Sequence, residues 1–560
     1  MYLAQCHEVL GQLENAKKTY ERLLKIQLDV KQKRVVEQRL AAIVKRLKEP
    51  KEIPPKQEGK ETKEETKEET KDGEVTIDLG DGDMVAGLSG GEKATGVDVD
   101  VASGLISGWY RTSLDVDMAH DRPSGPTDLS EDSLELRNRL LLRLDVRYGT
   151  TLQAFAAVLL DHVVRETPPD GDEFFWLFNG SDYRAEFEAS LIETFLNISL
   201  GRFDVRLGML RLSWGKFEYN SPNDVLNPFD LRNPYREELE ILRLPVLAAE
   251  VQVNLSPVTL ELIWQPLFRA NKQALYGSDY GILMSPTLPL PVRGLVRMLD
   301  SLSHPTVSSK LEEFLLQTEL PPDNLLSSSF GLRAAAQIKG LDFSLYYHYG
   351  WDPSVRLSIN PFAMNIVGQI DWSRAQVEDL GPLLDLVDAG MTIYRGDYIR
   401  RHHAGADFAT AMGSFVLRGE VGFDSRRVFR DTTMVPYALD AVAVNLGAEY
   451  QHDMNKSVML EAGYLAVFGA PENLLFDQPH SVDIAAMIRW SFLDHDLLIE
   501  VWGTVGFRPW QYVARPRVSY KLSKRWWIHG GVVVLGGDEE SLGGYYDRND
   551  IWFLEATCNL

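Results

Sequence analysis

The chain has 560 residues and a formal charge of −23, enough length for several soluble domains or for one large barrel with an appendage. So acidic a chain is a poor partner for nucleic acid, and its two cysteines, Cys6 and Cys558, lie too far apart in sequence to indicate a disulfide framework or a metal site. No run of about 18 apolar residues occurs, which excludes a membrane-spanning helix.

Residues 1–47 have the apolar spacing of amphipathic helices. Tyr2, Leu3, Cys6, Val9 and Leu10 begin one apolar stripe, and Leu13, Ala16, Tyr20 and Leu23 continue it. The pattern resembles the second part of a tetratricopeptide repeat, a helix pair that stacks on its neighbours. We expect a tetratricopeptide-like helical segment over 1–47, with a simple helical hairpin or a coiled-coil segment as the alternative.

Residues 48–101 have the composition of a disordered linker. Pro54-Pro55 stops any helix, a near-repeat of Lys-Glu-Glu-Thr follows, and an acidic, Gly-rich stretch leads up to residue 101. Residues 1–75 hold 17 Lys/Arg and 15 Asp/Glu, a balance of +2, so the remainder of the chain carries −25.

Residues 134–161 predict a long β-hairpin with one apolar and one charged face. Leucines at 134, 136, 140, 142 and 144 alternate with charged residues, among them four arginines, and Gly149 to Thr151 forms the turn. The first strand would be about 16 residues long, whereas soluble strands average about 5 or 6. Great length, an apolar outer face and a charged inner face are typical of a transmembrane barrel strand.

The spacing of the later strands predicts a mainly β fold: a single large antiparallel transmembrane β-barrel of about 18 strands over 102–560. Tight turns alternate with long connections throughout, as in outer-membrane barrels. The predicted turns are Gly149-Thr150, Gly201-Arg202, Ser256-Pro257, Lys339-Gly340, Gly413-Ser414, His452 to Lys456, Leu493 to Asp496 and Ser523-Lys524. Nine longer connections separate them, including one predicted near 425–439.

An even strand number places both ends of the barrel on one side of the membrane. The sequence therefore predicts a barrel in the lipid bilayer of a bacterial outer membrane, with residues 1–47 in the periplasm, where they could bind a protein partner. Residues 1–7 do not form a basic segment followed by an apolar one, as an export signal would. We therefore expect either that Met1 is internal to a longer reading frame or that the chain was shortened at its start. Aromatic girdles are predicted at strand ends, at positions that include Tyr110, Tyr148, Trp490 and Trp527.

Charged residues on the inward faces are the candidate pore lining. Arginines cluster on the early strands and carboxylates on the later ones, which would set up a transverse field able to hold anionic or sugar substrates. The alternative is that opposite charges pair across strands and only fill the lumen. The predicted lining residues are Arg137, Arg139, Arg143, Arg147, Arg202, Arg206, Glu250, Glu261, Arg418, Glu420, Glu449, Glu461, Arg489 and Glu500.

Two stretches resemble a family of large porin-like outer-membrane proteins, many of unknown function. The first lies in 201–234 and includes Arg211, Gly215 and Pro228, and the second runs from Gly405 to Phe423. Asn, Asp and Pro in the first stretch are turn formers and predict an ordered loop against the lumen wall. The candidate constriction residues there are Trp214, Asn223, Asp224, Asn227, Asp230 and Arg232; loop scaffolding is the alternative.

A helical-repeat region tethered to a barrel also resembles, in architecture, the exopolysaccharide-export porins. This resemblance implies an outer-membrane channel that exports a polysaccharide. The alternatives are a passive solute porin and a plugged anchor for a periplasmic partner. No catalytic, metal or cofactor motif such as G-x-S-x-G is present, so we expect no enzyme and no cofactor. His402-His403 are expected to precede a strand. Long connections at 269–327 and 352–403 could fill the lumen, with helices predicted at 295–302 and 310–320.

Overall fold

The computed structural model describes residues 102–117, 134–167, 182–273, 280 and 316–560, except for 218, 361, 363–364, 367–368, 371–381, 383–393, 433, 454 and 548. The predicted helical segment at 1–47, the linker at 48–101 and the predicted helix at 295–302 all lie outside the described residues.

The described chain is built mainly of β-strands, numbered β1–β21 in chain order. Three short strands form a separate sheet: β8 (Leu316–Thr318), β11 (Arg356–Ile359) and β12 (Tyr394–Asp397). The other eighteen form one sheet: β1 (Ala102–Asp117), β2 (Leu134–Tyr148), β3 (Leu152–Thr167), β4 (Asp182–Leu200), β5 (Phe203–Leu210), β6 (Val246–Asn254), β7 (Val258–Gln265), β9 (Ser329–Ile338), β10 (Leu341–Trp351), β13 (Arg400–Met412), β14 (Phe415–Arg430), β15 (Pro436–Asp453), β16 (Lys456–Val467), β17 (His480–Phe492), β18 (Leu497–Phe507), β19 (Trp510–Lys521), β20 (Trp526–Gly537) and β21 (Ile551–Asn559).

The large sheet closes on itself into a barrel. Each strand pairs antiparallel with its neighbours, and β1 pairs with β2 on one side and with β21 on the other. Closure gives every strand a partner on both edges, so the barrel has no free edge. The prediction of an eighteen-stranded antiparallel barrel is confirmed.

The tight turns predicted from the sequence lie at one end of the barrel and the long connections at the other, but at the latter end β18 and β19 are joined by Arg508 and Pro509 alone, where the sequence predicted one of the longer connections. All eight predicted tight turns are present, and Ala102, the first residue of β1, pairs with Tyr148 beside one of them. We call this the tight-turn end and the opposite one the long-loop end. The long connection predicted near 425–439 is wrong, because β14 and β15 continue past a bulge after Asp424 and stay paired as far as Arg430 and Pro436.

Alternation along the strands separates an apolar outer face from a polar inner one. On β10, Leu345 and Tyr347 are exposed on the outside, whereas Tyr346 and His348 are buried inside the barrel. Trp527 departs from its predicted place in an outer girdle: it stacks on the inward His529 at 6.2 Å, and its neighbour Trp526 is exposed instead. No helix among the described residues is long and apolar enough to cross a membrane.

The small sheet belongs to the long connections. Strand β12 pairs antiparallel with β11 and parallel with β8. The helix predicted over 310–320 is therefore wrong at Leu316–Thr318, where the backbone takes part in this sheet rather than in local helical hydrogen bonds.

Candidate functional site

The connection between β5 and β6, residues 211–245, folds into the barrel, and we call it the inner loop. It contains a single helical turn, α1 (Leu239–Leu242). Its side chains and backbone bond to strands on opposite walls, from β1 and β2 on one side to β14 and β17 on the other. The inner loop therefore crosses the lumen instead of extending from the barrel end.

Asn227 holds the two ends of the inner loop together. Its side-chain oxygen accepts from the Leu212 amide at 2.8 Å, and its side-chain nitrogen donates to the carbonyls of Leu210 at 3.1 Å and Leu244 at 2.6 Å. Asn227 is 2% exposed, so these three backbone groups depend on it for their hydrogen bonds. Asn227 thus fixes the place where the loop leaves β5 next to the place where it returns to β6.

The first half of the loop, residues 214–223, meets the carboxylates of the wall with uncharged donors. Glu420 on β14 accepts hydrogen bonds from the amides of Lys216 and Phe217, the latter at 2.9 Å, from the Ser221 hydroxyl at 2.7 Å and from Asn223 at 3.3 Å. A carboxylate satisfied by several donors needs no cation beside it. Glu420 therefore fixes the loop backbone without adding a positive charge to the lumen.

Other wall residues extend this contact. The Trp214 indole donates to Glu261 on β7 at 2.9 Å, and Asn220 donates to Asp483 on β17 at 3.5 Å. Asn223 also lies 3.1 Å from the Nε2 atom of His403, whose Nδ1 lies 3.0 Å from Asp424. His403 lies within β13, not before a strand as the sequence predicted, and its ring faces the lumen.

Glycines of the wall make room for the loop. A Cβ atom on Gly405 would lie 1.8 Å from Asn223 Oδ1, one on Gly447 2.6 Å from the Phe217 ring, and one on Gly422 3.0 Å from Pro222. A side chain at Gly405 or Gly447 would force the loop side chain beside it to move, and one at Gly422 would leave little room for Pro222. Asn223 lies in one of the two stretches that resemble porin-like proteins, and Gly405 and Glu420 lie in the other, so the two stretches are in contact.

The second half of the loop, residues 236–240, meets the arginines of the opposite wall with carboxylates. Glu237 forms ion pairs with Arg137, at 2.6 Å, and with Arg139, both on β2. Glu238 lies 3.2 Å from Arg111 on β1 and 3.6 Å from Arg517 on β19. Glu240 pairs with Arg143 and with Arg211.

Two arginines attach the same half of the loop to the strands where the barrel closes. Arg236 belongs to the loop and contacts β1 and β21, and Arg515 belongs to β19. Arg236 reaches Asp115 and Glu555, each at 3.0 Å, and lies 4.0 Å above the Phe553 ring. Arg515 lies 3.3 to 3.5 Å from three successive loop carbonyls, those of residues 235 to 237. The inner loop therefore presents uncharged donors to the carboxylates of one wall and, apart from Arg236, carboxylates to the arginines of the other.

The predicted lining residues fall into three environments. Arg137, Arg139 and Arg143 hold the loop, as do Glu261 and Glu420. Other predicted residues pair with each other on neighbouring strands: Arg206 with Glu250, Arg418 with Glu449, and Arg489 with Glu500 at 2.9 Å. The remaining three are Arg147, which pairs with Asp145 at 2.9 Å, Arg202, which lies in a tight turn, and the buried Glu461.

The six predicted constriction residues all lie in the inner loop. Trp214, Asn223 and Asn227 attach it to the wall as described above. Asp224 pairs with Arg243 across the loop, and Asp230 pairs with Arg232 at 2.6 Å. The residues that sequence reasoning missed are the carboxylates of 237–240 and their partners Arg111 and Arg517; the run Arg-Glu-Glu-Leu-Glu after the turn formers was the available signal.

The charge state of Glu237 determines the pH below which the loop loses its ion pairs with the wall. Burial alone would raise the pKa of this carboxyl, but the Arg139 and Arg137 guanidinium groups outweigh burial and hold it far below the ordinary value. A depressed pKa means that the ion pairs stabilise the docked loop at every pH above the ordinary value and lose this effect only as the pH falls through the depressed one. We expect constant single-channel conductance from pH 7 down to about 4.5, with larger steps only in stronger acid. A rise between pH 7 and about 5 would contradict this assignment.

Three solved structures show a distant likeness to the chain. OpdK of Pseudomonas aeruginosa, solved with vanillate, shares 10% identity and covers 82% of this chain and 98% of its own, at a TM-score of 0.41. OccAB1 of Acinetobacter baumannii shares 9% over 82% and 96%, at 0.42, and Salmonella typhi OmpF, in complex with daunomycin, shares 9% over 82% and 97%, at 0.36. No curated protein matches the chain.

Residues 140–477 match a protein family whose description is "Protein of unknown function (DUF1302)". This range contains the whole inner loop, together with Glu261, Gly405 and Glu420 that hold its first half. It also contains both stretches that resemble porin-like proteins. The chain belongs to this family.

Proposed function

We propose that the protein is an outer-membrane channel for small solutes and that the inner loop is its constriction. Exposed apolar side chains cover the outside of the barrel, and charged side chains cover the inside, the pattern of a barrel with lipid on one side and water on the other. Tight turns at one end and long connections at the other would place the long-loop end outside the cell.

The observation that carries the proposal is that the inner loop crosses the lumen and leaves charged wall residues accessible beside it. Arg143, Arg206 and Arg489 keep 34%, 30% and 36% of their side-chain surface. Charged side chains exposed inside a barrel require water around them. Barrels of 16 to 18 strands leave an aqueous channel, which this loop narrows. A hydrated passage in which a solute can contact both positive and negative side chains of the wall suits small polar solutes, including sugars and organic ions.

Polysaccharide export stays a prediction. Its support is the helical region at 1–47, which lies outside the described residues, and docking of a periplasmic partner there rests on the same region. The inner loop favours the passive alternative, because it is bonded to opposite walls and a polymer would need it to move. Deleting residues 1–75 separates the two: we expect unchanged conductance if solutes diffuse passively, and a loss of polymer release without a loss of conductance if the protein exports.

The direct test is conductance of the purified, folded chain in planar bilayers. We expect stable, discrete steps smaller than those of a loop-free barrel with the same number of strands. Folding is checked by heat-modifiable migration on a gel, so that silence can be interpreted. A folded barrel that produces no steps would overturn the channel and favour the plugged anchor.

A further inference from the structure

An aromatic and basic cluster lies on the outside of the barrel at the long-loop end. Tyr347, Tyr349 and Trp351 occupy the outward positions of β10, and Arg400 and His402 occupy those of β13 beside them. The strand register pairs Trp351 with Arg400 and Tyr349 with His402. Arg401 and His403, the alternating neighbours on β13, are buried on the inside, so Arg400 and His402 face away from the lumen.

Arg400 is held between two rings and two carbonyls and, among the described residues, has no acidic partner. Its guanidinium lies 4.7 Å above the Trp351 ring and 5.1 Å above the Tyr349 ring, and it donates to the carbonyls of Ser328 at 3.1 Å and Leu326 at 2.8 Å. None of the carboxylates in the described ranges lies within ion-pair distance of it. Its inward neighbour Arg401, by contrast, has two, Asp424 at 3.3 Å and Asp352 at 3.6 Å.

A cation at a lipid boundary that meets no carboxylate among the described residues is suited to a counter-ion from the lipid. Rings and carbonyls orient the guanidinium but leave its full charge uncompensated. A guanidinium offers a planar fork of donors that matches phosphate oxygens. Because two rings and two carbonyls already hold the guanidinium in place, little conformational freedom is lost when an anion binds to it.

Exposed leucines lie directly beside this cation. Leu325 is 70% exposed and Leu326 is 92% exposed, just before β9 begins, and Phe330 on β9 is 53% exposed on the same side. The segment is not loose, since the Trp351 indole donates to the Ser327 carbonyl at 2.8 Å and Asn324 caps the turn. Exposed apolar side chains beside a cation form a surface that complements both parts of a lipid. The apolar side chains match an acyl chain, and the cation matches an anionic headgroup.

His402 adds a second polar group to the same face. Its ring stacks on Tyr349 at 4.6 Å, and its Nδ1 atom lies 2.8 Å from the Tyr347 hydroxyl. Nε2, the other ring nitrogen, has no hydrogen-bond partner among the described residues. The outward face therefore presents one permanent cation and one imidazole nitrogen at the end of an aromatic ladder.

We propose that this cluster binds a phosphate-bearing lipid of the surrounding leaflet, with the phosphate on Arg400 and an acyl chain against Leu325, Leu326 and Phe330. The inference rests on the membrane location in the proposed function but not on conduction. The proposal places a specific lipid on the outer surface near β9, β10 and β13. The rest of the outer surface needs only the acyl chains of the bilayer.

The test is native mass spectrometry of the full chain in detergent, titrated with bis-phosphorylated lipid A, for the wild type and for Arg400→Gln. Arg395→Gln is the matched control, because Arg395 also lies at the long-loop end, is 61% exposed and already pairs with Glu319. We expect binding about tenfold weaker in Arg400→Gln, the loss expected for a charge-assisted hydrogen-bonded pair, and wild-type binding in Arg395→Gln.

Two further probes identify the source of the phosphate. Lipid A with its phosphates removed should bind as weakly to the wild type as intact lipid A binds to Arg400→Gln. Inorganic phosphate should not displace the bound lipid; full displacement would make this a free-anion site and overturn the proposal, as would equal binding by wild type and Arg400→Gln. Conductance of Arg400→Gln should match that of the wild type, so absence of conduction in both would count against the channel and not against the lipid site.

Discussion

Replacing both Glu237 and Glu238 by glutamine is expected to open the lumen and to shift its ion selectivity toward anions. The two carboxylates meet arginines on β1, β2 and β19, and the substitution removes both negative charges while keeping the side-chain size. Breaking a fully buried ion pair costs about 3–5 kcal/mol, and the cost here is smaller because Arg111, Arg137 and Arg139 keep other carboxylates on the wall. The loop half that they hold should therefore leave the wall.

The arginines left behind determine the new selectivity. Arg139 keeps Asp161 at 3.2 Å and Arg111 keeps Glu555 at 3.2 Å, whereas Arg517 keeps no other carboxylate among its described ion pairs. The net charge inside the barrel is then two units more positive than in the wild type, because two carboxylates of the loop are gone. Exposed fixed charges of one sign attract counter-ions into a narrow pore.

Two bilayer readouts separate opening from charge. We expect single-channel conductance to rise about twofold or more, since a loop-free barrel of this strand number is a wide aqueous pore. In a potassium chloride gradient, the reversal potential should move toward the chloride equilibrium potential. Glu319→Gln is the control, because Glu319 forms an exposed ion pair with Arg395 at the long-loop end. Conductance and reversal potential both equal to the wild type would mean that the inner loop is not the constriction.

The barrel wall could be predicted from sequence because its constraint is local. Lipid outside and water inside impose period two on each strand, so Leu142 and Arg143 fall on opposite faces whatever the rest of the chain does. Turn residues such as Gly149, Gly201, Gly340 and Gly413, all at positive φ, mark where strands reverse. The prediction near 425–439 is wrong because β14 and β15 resume their pairing after a bulge, although the residues there are polar.

The inner loop could be predicted only as a loop. Its turn-forming residues and its resemblance to porin-like proteins were visible, but its partners are distant: Arg137 is 100 positions from Glu237, Phe217 is 203 from Glu420, and Arg236 is 319 from Glu555. No local pattern specifies such pairs. The run at 236–240 has the composition of an exposed helical turn, and only the closed barrel brings it against an arginine wall.

The second large effect is expected from Gly405→Ala, which removes no charge at all. The new methyl group would lie 1.8 Å from Asn223 Oδ1 and 3.0 Å from the backbone oxygen of Val421. Asn223 must therefore move, and its contacts with Glu420 and His403 break. Overpacking of this kind costs about 1–3 kcal/mol, which the first half of the loop has to absorb.

Gly530→Ala is the matched control for the glycine substitution. Gly530 also lies within a barrel strand, but the atoms nearest to its added Cβ, at 3.9 and 4.0 Å, are at ordinary contact distance. Both substitutions add one methyl group to a strand, so their effects on strand propensity should cancel in the comparison. We expect Gly530→Ala to conduct like the wild type and Gly405→Ala to show larger or flickering steps.

The two variants together distinguish a steric constriction from an electrostatic one. Displacing the loop at Gly405 frees Glu420 from its donors and exposes a carboxylate, so conductance should rise while selectivity moves toward cations, opposite in sign to the glutamine pair. Movement of both variants in the same direction would mean that the bulk of the loop, and not its two charged faces, controls which ions pass. A wild-type response from Gly405→Ala would show that Asn223 yields without releasing the loop, and the anchoring would then lie at Asn227 and Glu237.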